Sequence, residues 1–567
     1  MILEITAVIV IFLLCAALAW PLGKHIAQVY AGEGNWSDRI FGPLERWTFR
    51  LSGIDPNREM SWQEHLRALM TINIVWFLWS MFVLMNQGWL PWNPDGNPSM
   101  TADLAFNTTA SFIVNCNLQH YSGETGATYF SQIFAIMFFQ FVSAGTGMAA
   151  AAVVFNAMRQ RTTAQLGNFY NYFLKSCTRI LLPISFLAAV LLASEGTPMN
   201  LTGGKDTIVS LQGDTVQVSR GPAAGMIAIK QAGTNGGGYY GVNSAHPLEN
   251  PTAFTNALEN ILIVLIPMAF VFALGFYMKN RRLARVIFGT MTAGFLLLLA
   301  VTVWSELNGN PSIDSLGISQ TQGSMEGKEI RLGAGLSALW GISTTVTSNG
   351  SVNAMHDSFT PVGGAMQMVD MMINSLYGGV GVGFLNFYVF IILATFIGGL
   401  MVGRTPELLG KKVEAREMKI AMLVALLHPF LILAGTAIAA WLSASGNPVA
   451  ANWLNNPGYH GFSEMLYEYT SSSANNGSGF EGLGDNNPFW NISTGIVLLL
   501  SRYLPITGPV AIAGLLAAKK TIPESAGTLR SDSVTFGVLI FTVIFIVAAL
   551  AFFPALVLGP LAEYFAF

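Results

Sequence analysis

Apolar runs of about 20 residues recur along the chain, the length that a helix needs to cross roughly 30 Å of hydrocarbon. Ten such runs lie near 3–22, 67–89, 129–157, 170–194, 253–278, 283–305, 364–403, 417–443, 488–517 and 534–563. The pattern predicts an all-α polytopic membrane protein. The first run starts at Ile2 with no basic residue before it and no small-residue cleavage site, so it reads as an uncleaved span. The seventh run is double length, and Gly378-Gly379-Val380-Gly381-Val382-Gly383 interrupts it. That interruption predicts a broken helix, as in transporters whose discontinuous helices face a site.

Composition agrees. Of 567 residues, 52% are apolar and 10% charged, against roughly 25% charged in soluble chains. So few charges cannot cover the surface of several soluble domains. A net charge of −3 with no basic tract excludes nucleic acid as a partner. Cys15, Cys116 and Cys177 are far apart and odd in number, which opposes a disulfide framework. Lys and Arg set the orientation. Twenty-two of the 28 follow odd-numbered spans or lie at the foot of the fourth, five follow even-numbered spans, and Arg502 lies inside the ninth. The positive-inside rule puts the basic loops in the cytoplasm and both termini outside.

The outer loops repeat a pattern. Short helical stretches at 103–114, 223–232, 333–346 and 462–472 each lead into a polar strand. The strands are Asn115-Cys116-Asn117-Leu118-Gln119, Gly233-Thr234-Asn235-Gly236-Gly237-Gly238, Thr347-Ser348-Asn349-Gly350-Ser351 and Ser473-Ala474-Asn475-Asn476-Gly477-Ser478. Asn117, Gly236, Gly350 and Gly477 align at separations of 119, 114 and 127 residues. Four pseudo-fourfold helix–pore-loop–helix repeats follow, at 67–168, 169–282, 283–416 (with the broken helix) and 417–530. An N-terminal extra helix and cytoplasmic loop (1–66) and a C-terminal extra helix (531–567) flank them.

Four parallel copies surround one axis. Non-helical backbone at membrane depth is tolerated only where it is buried or lines an aqueous cavity. A ring of such strands can point backbone carbonyls inward to replace a cation's water shell, as potassium channels do. Glycine permits the left-handed angles this needs, and Asn is the next most tolerant residue. Thr234 and Ser348 can add hydroxyl oxygens below the ring. The strands hold no carboxylate, which calcium would want. Potassium is the best match, bound by Asn115, Cys116, Asn117, Gln119, Thr234, Asn235, Gly236, Ser348, Asn349, Gly350, Asn475, Asn476 and Gly477. The helix C-termini add negative potential towards the axis.

The chain also resembles a family, the potassium-binding and translocating subunits of Kdp-type potassium-transporting P-type ATPases (the KdpA family). The resemblance rests on Phe106-Asn107-Thr108, Gln119-His120-Tyr121-Ser122-Gly123-Glu124, Asn243-Ser244-Ala245-His246-Pro247, Asn250-Pro251-Thr252 and Met325-Glu326-Gly327-Lys328-Glu329. Met355-His356-Asp357-Ser358-Phe359, Gly403-Arg404-Thr405-Pro406-Glu407, Pro457-Gly458-Tyr459-His460-Gly461-Phe462-Ser463-Glu464 and the second polar strand complete it. It implies a subunit of the bacterial inner membrane that supplies the filter and ion path. It further implies three partners in a Kdp complex: an ATP-hydrolysing subunit, a single-span subunit and another small subunit. Transported K+ and no organic cofactor are implied. Some relatives carry Cys where this chain has Asn349. The resemblance also implies that the broken helix redirects ions sideways towards the ATP-hydrolysing partner.

Gly378, Gly379, Gly381 and Gly383 therefore read as a gate beneath the filter, with close helix packing in the membrane as the alternative. Arg502 reads as an electrostatic barrier there, or as a member of a structural ion pair. The seven histidines show no metal-ligand spacing. Residues 403–412 lack a Ser or Thr after the lysines and so are no phosphate loop; they read as a cytoplasmic hairpin that anchors lipid or docks the partner. With no Asp-Lys-Thr-Gly motif and short cytoplasmic loops, the chain cannot hydrolyse ATP by itself. The competing readings are a self-sufficient channel-like potassium transporter and an assembly scaffold with a vestigial pore.

Overall fold

The computed structural model describes residues 2–209, 212–401, 403–523 and 530–566. Among them, ten helices are long and apolar enough to span a membrane: Ile2–Ala31, Trp62–Asn86, Tyr129–Arg159, Phe169–Ser194, Ala253–Tyr277, Arg281–Ser315, Val382–Met401, Ala415–Ala444, Pro488–Ala517 and Val534–Ala566. The protein is an all-α polytopic membrane protein. The first helix runs nine residues past the expected end at 22, through Lys24 and His25 to Ala31. The second starts at Trp62 rather than 67, because Ser61 and Glu64 form a capping box there.

Helix environment follows sequence. Beyond Asn260 the fifth span is apolar on every face, and its most hydrophobic stretch is 83% buried; the corresponding stretches of the first and eighth are only 22% buried. The fifth is thus a core helix, and the other two present apolar side chains outward, as lipid-facing helices do. The first span lies against the fifth at Gly23, where a Cβ would come within 2.7 Å of the Ala269 carbonyl oxygen. Small residues permit such close helix approach in membranes. The third span is buried throughout its second half, where Gly145, Gly147 and a run of alanines let neighbours close in.

Four shorter helices point into the bundle: Ala102–Ile113, Ala223–Ala232, Ala334–Val346 and Tyr459–Ala474. Each is buried almost completely, and each leads into one of the polar strands. The double-length seventh run resolves into two helices, Pro361–Ile373 and Val382–Met401, separated by an irregular segment.

Two elements lie outside the expected plan. The amphipathic helix Trp36–Ser52 starts at the Asn35 cap and stops at left-handed Gly53. Its exposed face carries Trp36, Ile40, Leu44, Trp47 and Leu51, the pattern of a helix lying along a membrane surface. Arg179 of the fourth span anchors it through Glu45 and Asp38. Strands Lys205–Val209 and Thr215–Ser219 form an antiparallel hairpin. A shorter hairpin, Glu407–Leu408 with Lys411–Lys412, occupies the segment expected to be a cytoplasmic hairpin. Burial lowers the Lys411 pKa to about 8. Its Nζ donates to the Gln160 and Ala517 carbonyls at 3.0 and 3.4 Å, at the ends of the third and ninth spans.

Candidate functional site: a four-stranded carbonyl ring

Each polar strand begins as the cap of its short helix. Asn115, Thr234, Ser348 and Asn475 all adopt left-handed angles, with φ of 63°, 48°, 52° and 51°. The next amide bonds back to the carbonyl five residues earlier. These bonds run from Cys116 to Ser111 (3.1 Å), Asn235 to Lys230 (2.8 Å), Asn349 to Thr344 (3.1 Å) and Asn476 to Ser471 (2.9 Å). This is the Schellman arrangement, in which one left-handed residue reverses the chain and satisfies a helix-end carbonyl. The shared geometry holds although only the two Asn are residues that tolerate it well. β-Branched Thr234 at positive φ is strained.

Two residues on, the left-handed conformation returns. Asn117, Gly236, Gly350 and Gly477 have φ of 62°, 87°, 87° and 104°. The alternation keeps successive carbonyls on one side of each strand. Between the left-handed pair stand Cys116, Asn235, Asn349 and Asn476. Their four backbone carbonyls accept no hydrogen bond among the described residues. Buried carbonyls are otherwise almost always paired.

The strands close into a ring. A Cβ on Gly236 would collide with the Asn349 carbonyl oxygen, one on Gly350 would lie 2.2 Å from that of Asn476, and one on Gly477 would lie 2.2 Å from that of Cys116. The first strand meets the second at Gly237. Side chains hold the ring from behind. Asn349 Nδ2 donates to the Lys230 carbonyl at 3.1 Å, and Asn476 Nδ2 donates to the Thr344 carbonyl at 2.8 Å. Each Asn thereby ties its strand to the preceding pore helix. The first strand uses another device. Asn115 Nδ2 donates to the Gly233 and Thr234 carbonyls, and Asn115 Oδ1 accepts from Ser143 and Asn235.

Gln119 bridges the first two strands above the ring. Its Oε1 accepts from the Gly238 amide at 2.8 Å, and its Nε2 donates to the Gly238 carbonyl at 3.2 Å. Beside it, His120 is buried between Asn491 and the carboxylates of Glu468 and Asp485. Burial opposes its charge, but Asp485 and Glu468 outweigh that and push its pKa up to about 9.

The irregular segment of the seventh run sits directly below. Left-handed Asn374, Tyr377, Gly378 and Gly381 shape it. The Gly378 amide donates to the carbonyl of Val346, the last residue of the third pore helix, at 2.8 Å. Gly378 and Gly383 face each other so closely that a Cβ on Gly378 would lie 2.1 Å from the Gly383 Cα. Thr234 Oγ1 accepts from the Val380 amide at 3.0 Å, and Ser348 donates to Asn374 Oδ1 at 3.2 Å. Both hydroxyls expected below the ring thus hold the segment to the strand bases. Gly379 reaches the same place; its Cβ would contact the Thr347 carbonyl and Thr234.

Arg502 lies alongside. It is 3% exposed, and its Nη2 is 3.5 Å from the Ser143 carbonyl. No carboxylate stands within ion-pair distance of it among the described residues, so the structural ion pair considered from sequence is not formed. A charge buried without a counter-ion marks a place where charge has a use. Beside the segment is a cavity of about 60 Å³, bordered by Asn374, Asn386, His428, Ser473 and Ser501.

The KdpA family model, described as potassium-transporting ATPase A subunit, matches residues 9–565. The chain belongs to this family. A relative from Flavobacterium johnsoniae, named potassium-transporting ATPase potassium-binding subunit, is 66% identical, with 99% of each chain covered. Its namesakes in Flavobacterium psychrophilum and Phocaeicola vulgatus are 64% and 59% identical over the same share of each chain. Among solved structures, the potassium transporter TrkH from Vibrio parahaemolyticus aligns over 89% of this chain and 98% of its own, with 14% identity and a TM-score of 0.49. The KdpA-family chain is therefore a potassium-transport subunit of an ATPase complex and a multi-pass membrane protein.

Sequence reasoning missed several contributors. Ser143 of the third span, Asn243, which donates to the Gly236 carbonyl at 2.7 Å, and the buried ion pair of Lys230 with Glu249 all stand behind the second strand. Asn243 lies in the Asn243–Pro247 motif, but only the fold shows what its amide touches.

Proposed function

We propose that this chain binds K+ from the outer side in the ring of carbonyls and passes it to an ATP-hydrolysing partner. The single observation that carries this reading is the set of four buried carbonyls of Cys116, Asn235, Asn349 and Asn476, which accept no hydrogen bond among the described residues. Neutral oxygens at membrane depth favour a large monovalent cation that sheds water cheaply. The pore helices add the negative ends of their dipoles.

The repeat units are 67–168, 169–282, 283–416 and 417–530, with extra helices in 1–66 and 531–567. K+ descends from the ring to the segment around Gly378, Gly379, Gly381 and Gly383. Arg502 repels an ion that continues straight down, and the path turns sideways past Asn374 towards the partner. That partner hydrolyses ATP, and a single-span subunit and another small one complete the Kdp complex, in the bacterial inner membrane with both termini of this chain outside. The chain holds K+ as cargo and needs no organic cofactor. Solubilising the chain from its native membrane tests the reading. An ATPase subunit should co-purify, and its ATP hydrolysis should rise with K+. A chain that purifies alone and conducts K+ in liposomes would instead establish the self-sufficient transporter.

A further inference from the structure

Two of the family motifs converge on a cluster that potassium handling leaves unused. Asp357 comes from the turn after the third strand. His460 and Glu464 come from the first two turns of the fourth pore helix. One donor atom from each of the three lies within 4.8 Å of the others. Separation along the chain hides this set, because Asp357 and His460 are 103 residues apart.

The donors are poised as metal ligands. His460 Nε2 is 2.9 Å from Asp357 Oδ1. Two ligand atoms at that separation, each about 2.05 Å from one ion, subtend an angle of about 90° there, so a tetrahedral ion spreads the pair by about 0.4 Å. On the far side of the ring, His460 Nδ1 is 2.9 Å from Glu563 Oε1. A carboxylate on the second nitrogen is what orients metal-bound histidines and raises their basicity. Glu464 is fully buried; its Oε1 accepts from Asn456, and its Oε2 has no hydrogen-bond partner among the described residues. A buried, unpartnered carboxylate oxygen is costly unless a cation meets it. Gly482 borders the two carboxylates; a Cβ there would lie 2.4 Å from Glu464 Oε1 and 2.9 Å from Asp357 Oδ2, and the Asn456 amide bridges the same two oxygens, its Nδ2 donating to them at 3.1 and 3.3 Å.

Asp357, Glu464 and Glu563 surround one imidazole, and Glu481 Oε2 accepts from the Asp357 amide. No lysine or arginine pairs with any of them among the described residues.

We propose that Asp357, His460 and Glu464 form a divalent metal site, best suited to Zn2+, that clamps the third repeat to the start of the fourth pore helix. One imidazole and two carboxylates with water as the fourth ligand match zinc's preferences. Binding displaces the His460 proton. The ion braces the end of the helix opposite Asn475-Asn476-Gly477 and takes no part in potassium coordination.

The test uses the full-length chain with its co-purifying subunits, stripped with chelator and titrated with ZnCl2 alone. We expect one saturable equivalent per chain in the wild type and its loss in both Glu464→Gln and His460→Gln. Gly482→Ala, whose methyl crowds Glu464 and Asp357 without removing either carboxylate, should lose it too. His120→Gln, in the other histidine–carboxylate cluster, should keep it. No saturable binding in the wild type, retention of the equivalent in Gly482→Ala or either ligand variant, or its loss in His120→Gln would each overturn the proposal. Potassium-stimulated ATP hydrolysis, measured in parallel, reports separately on the function proposed above.

Discussion

Asn117 occupies the space that a side chain on Gly237 would need. A Cβ on Gly237 would stand 3.0 Å from the Asn117 Cβ and 3.1 Å from its Nδ2. The first strand is the only one without glycine at the second left-handed position, and its side chain is directed at the only strand with a second glycine. In the third and fourth strands the residue matching Gly237 is Ser351 or Ser478, facing neighbours that carry Gly236 and Gly350. Asymmetry in one strand is thus absorbed by the next. Gly237→Ala should impair potassium affinity, and adding Asn117→Gly should restore it. Potassium-stimulated ATPase titrations of the two single variants and the double variant decide the matter. A double variant no better than Gly237→Ala alone would show that the two residues act independently.

The aligned glycines give a second prediction. A Cβ on Gly236 or Gly350 meets a neighbouring strand's carbonyl oxygen, and both residues sit at φ of 87°. Gly236→Ala and Gly350→Ala should each lose most potassium-over-sodium discrimination. Gly96→Ala is the control: Gly96 also has a positive φ, but no atom lies within 4 Å of its would-be Cβ. Its cost is backbone strain alone, about 1–2 kcal/mol, without change in selectivity. Unchanged discrimination in both filter variants would remove the carbonyl ring as the basis of selection.

Why the ring is legible in the sequence and its supports are not follows from the physics of each. Ten apolar runs and three Asn-Gly strings at similar separations are one-dimensional signals. So are the glycines of 378–383, which mark the break beneath the ring. The first left-handed position leaves no such signal. Thr234 and Ser348 are poor residues for positive φ, and suggest hydroxyl chemistry instead. Only the end of a buried helix forces them there. The helix Trp36–Ser52 does carry a signal, Asn35 and Asp38 at its start and Gly53 at its end, but the basic residues around it give the segment the look of a loop. Lys411 has the look of a docking or lipid-binding charge; the fold engages its Nζ with two helix-end carbonyls.

Lys411 makes a prediction of its own. Its pKa is lowered from 10.5 to about 8 by burial. Between those values the unfolded chain binds more protons than the folded one, so this residue makes stability rise with pH through that window. Lys411→Met should remove that rise. Melting temperatures of wild type and variant from pH 7.5 to 10.5, compared as a difference, isolate it. A difference that is flat across the window would mean that the carbonyls of Gln160 and Ala517 hold the charged form as well as water does.

Orientation is open to direct measurement. The segment 24–66 should be cytoplasmic, from the bias of lysine and arginine. Ser52 is exposed near the end of the amphipathic helix. In a background with the three native cysteines replaced, Ser52→Cys should resist an impermeant thiol reagent in intact cells and react after permeabilisation. Ready labelling in intact cells would invert the topology and put the ring on the wrong face for import.

Gln119 tests how close the ion comes to the outer end of the ring. Its amide is engaged twice with the backbone of Gly238, so its first duty is to hold the first and second strands together. Arginine and glutamate both break that pairing, because arginine has no acceptor for the Gly238 amide and glutamate no donor for its carbonyl. A residue that is only a strut would therefore lose potassium affinity to a similar extent in both. A residue beside the ion column would not. Unit charges a few ångströms apart interact by about 4 kcal/mol at an effective dielectric of 20. A guanidinium there would repel potassium, and a carboxylate would attract it while weakening the preference for potassium over sodium. We expect assembled complexes from both variants, with apparent potassium affinity falling strongly in Gln119→Arg and much less in Gln119→Glu. Potassium titration of ATP hydrolysis reads the two affinities. Equal losses with assembly intact would confine Gln119 to the strut and place the outermost ion site below it, at the level of Cys116, Asn235, Asn349 and Asn476.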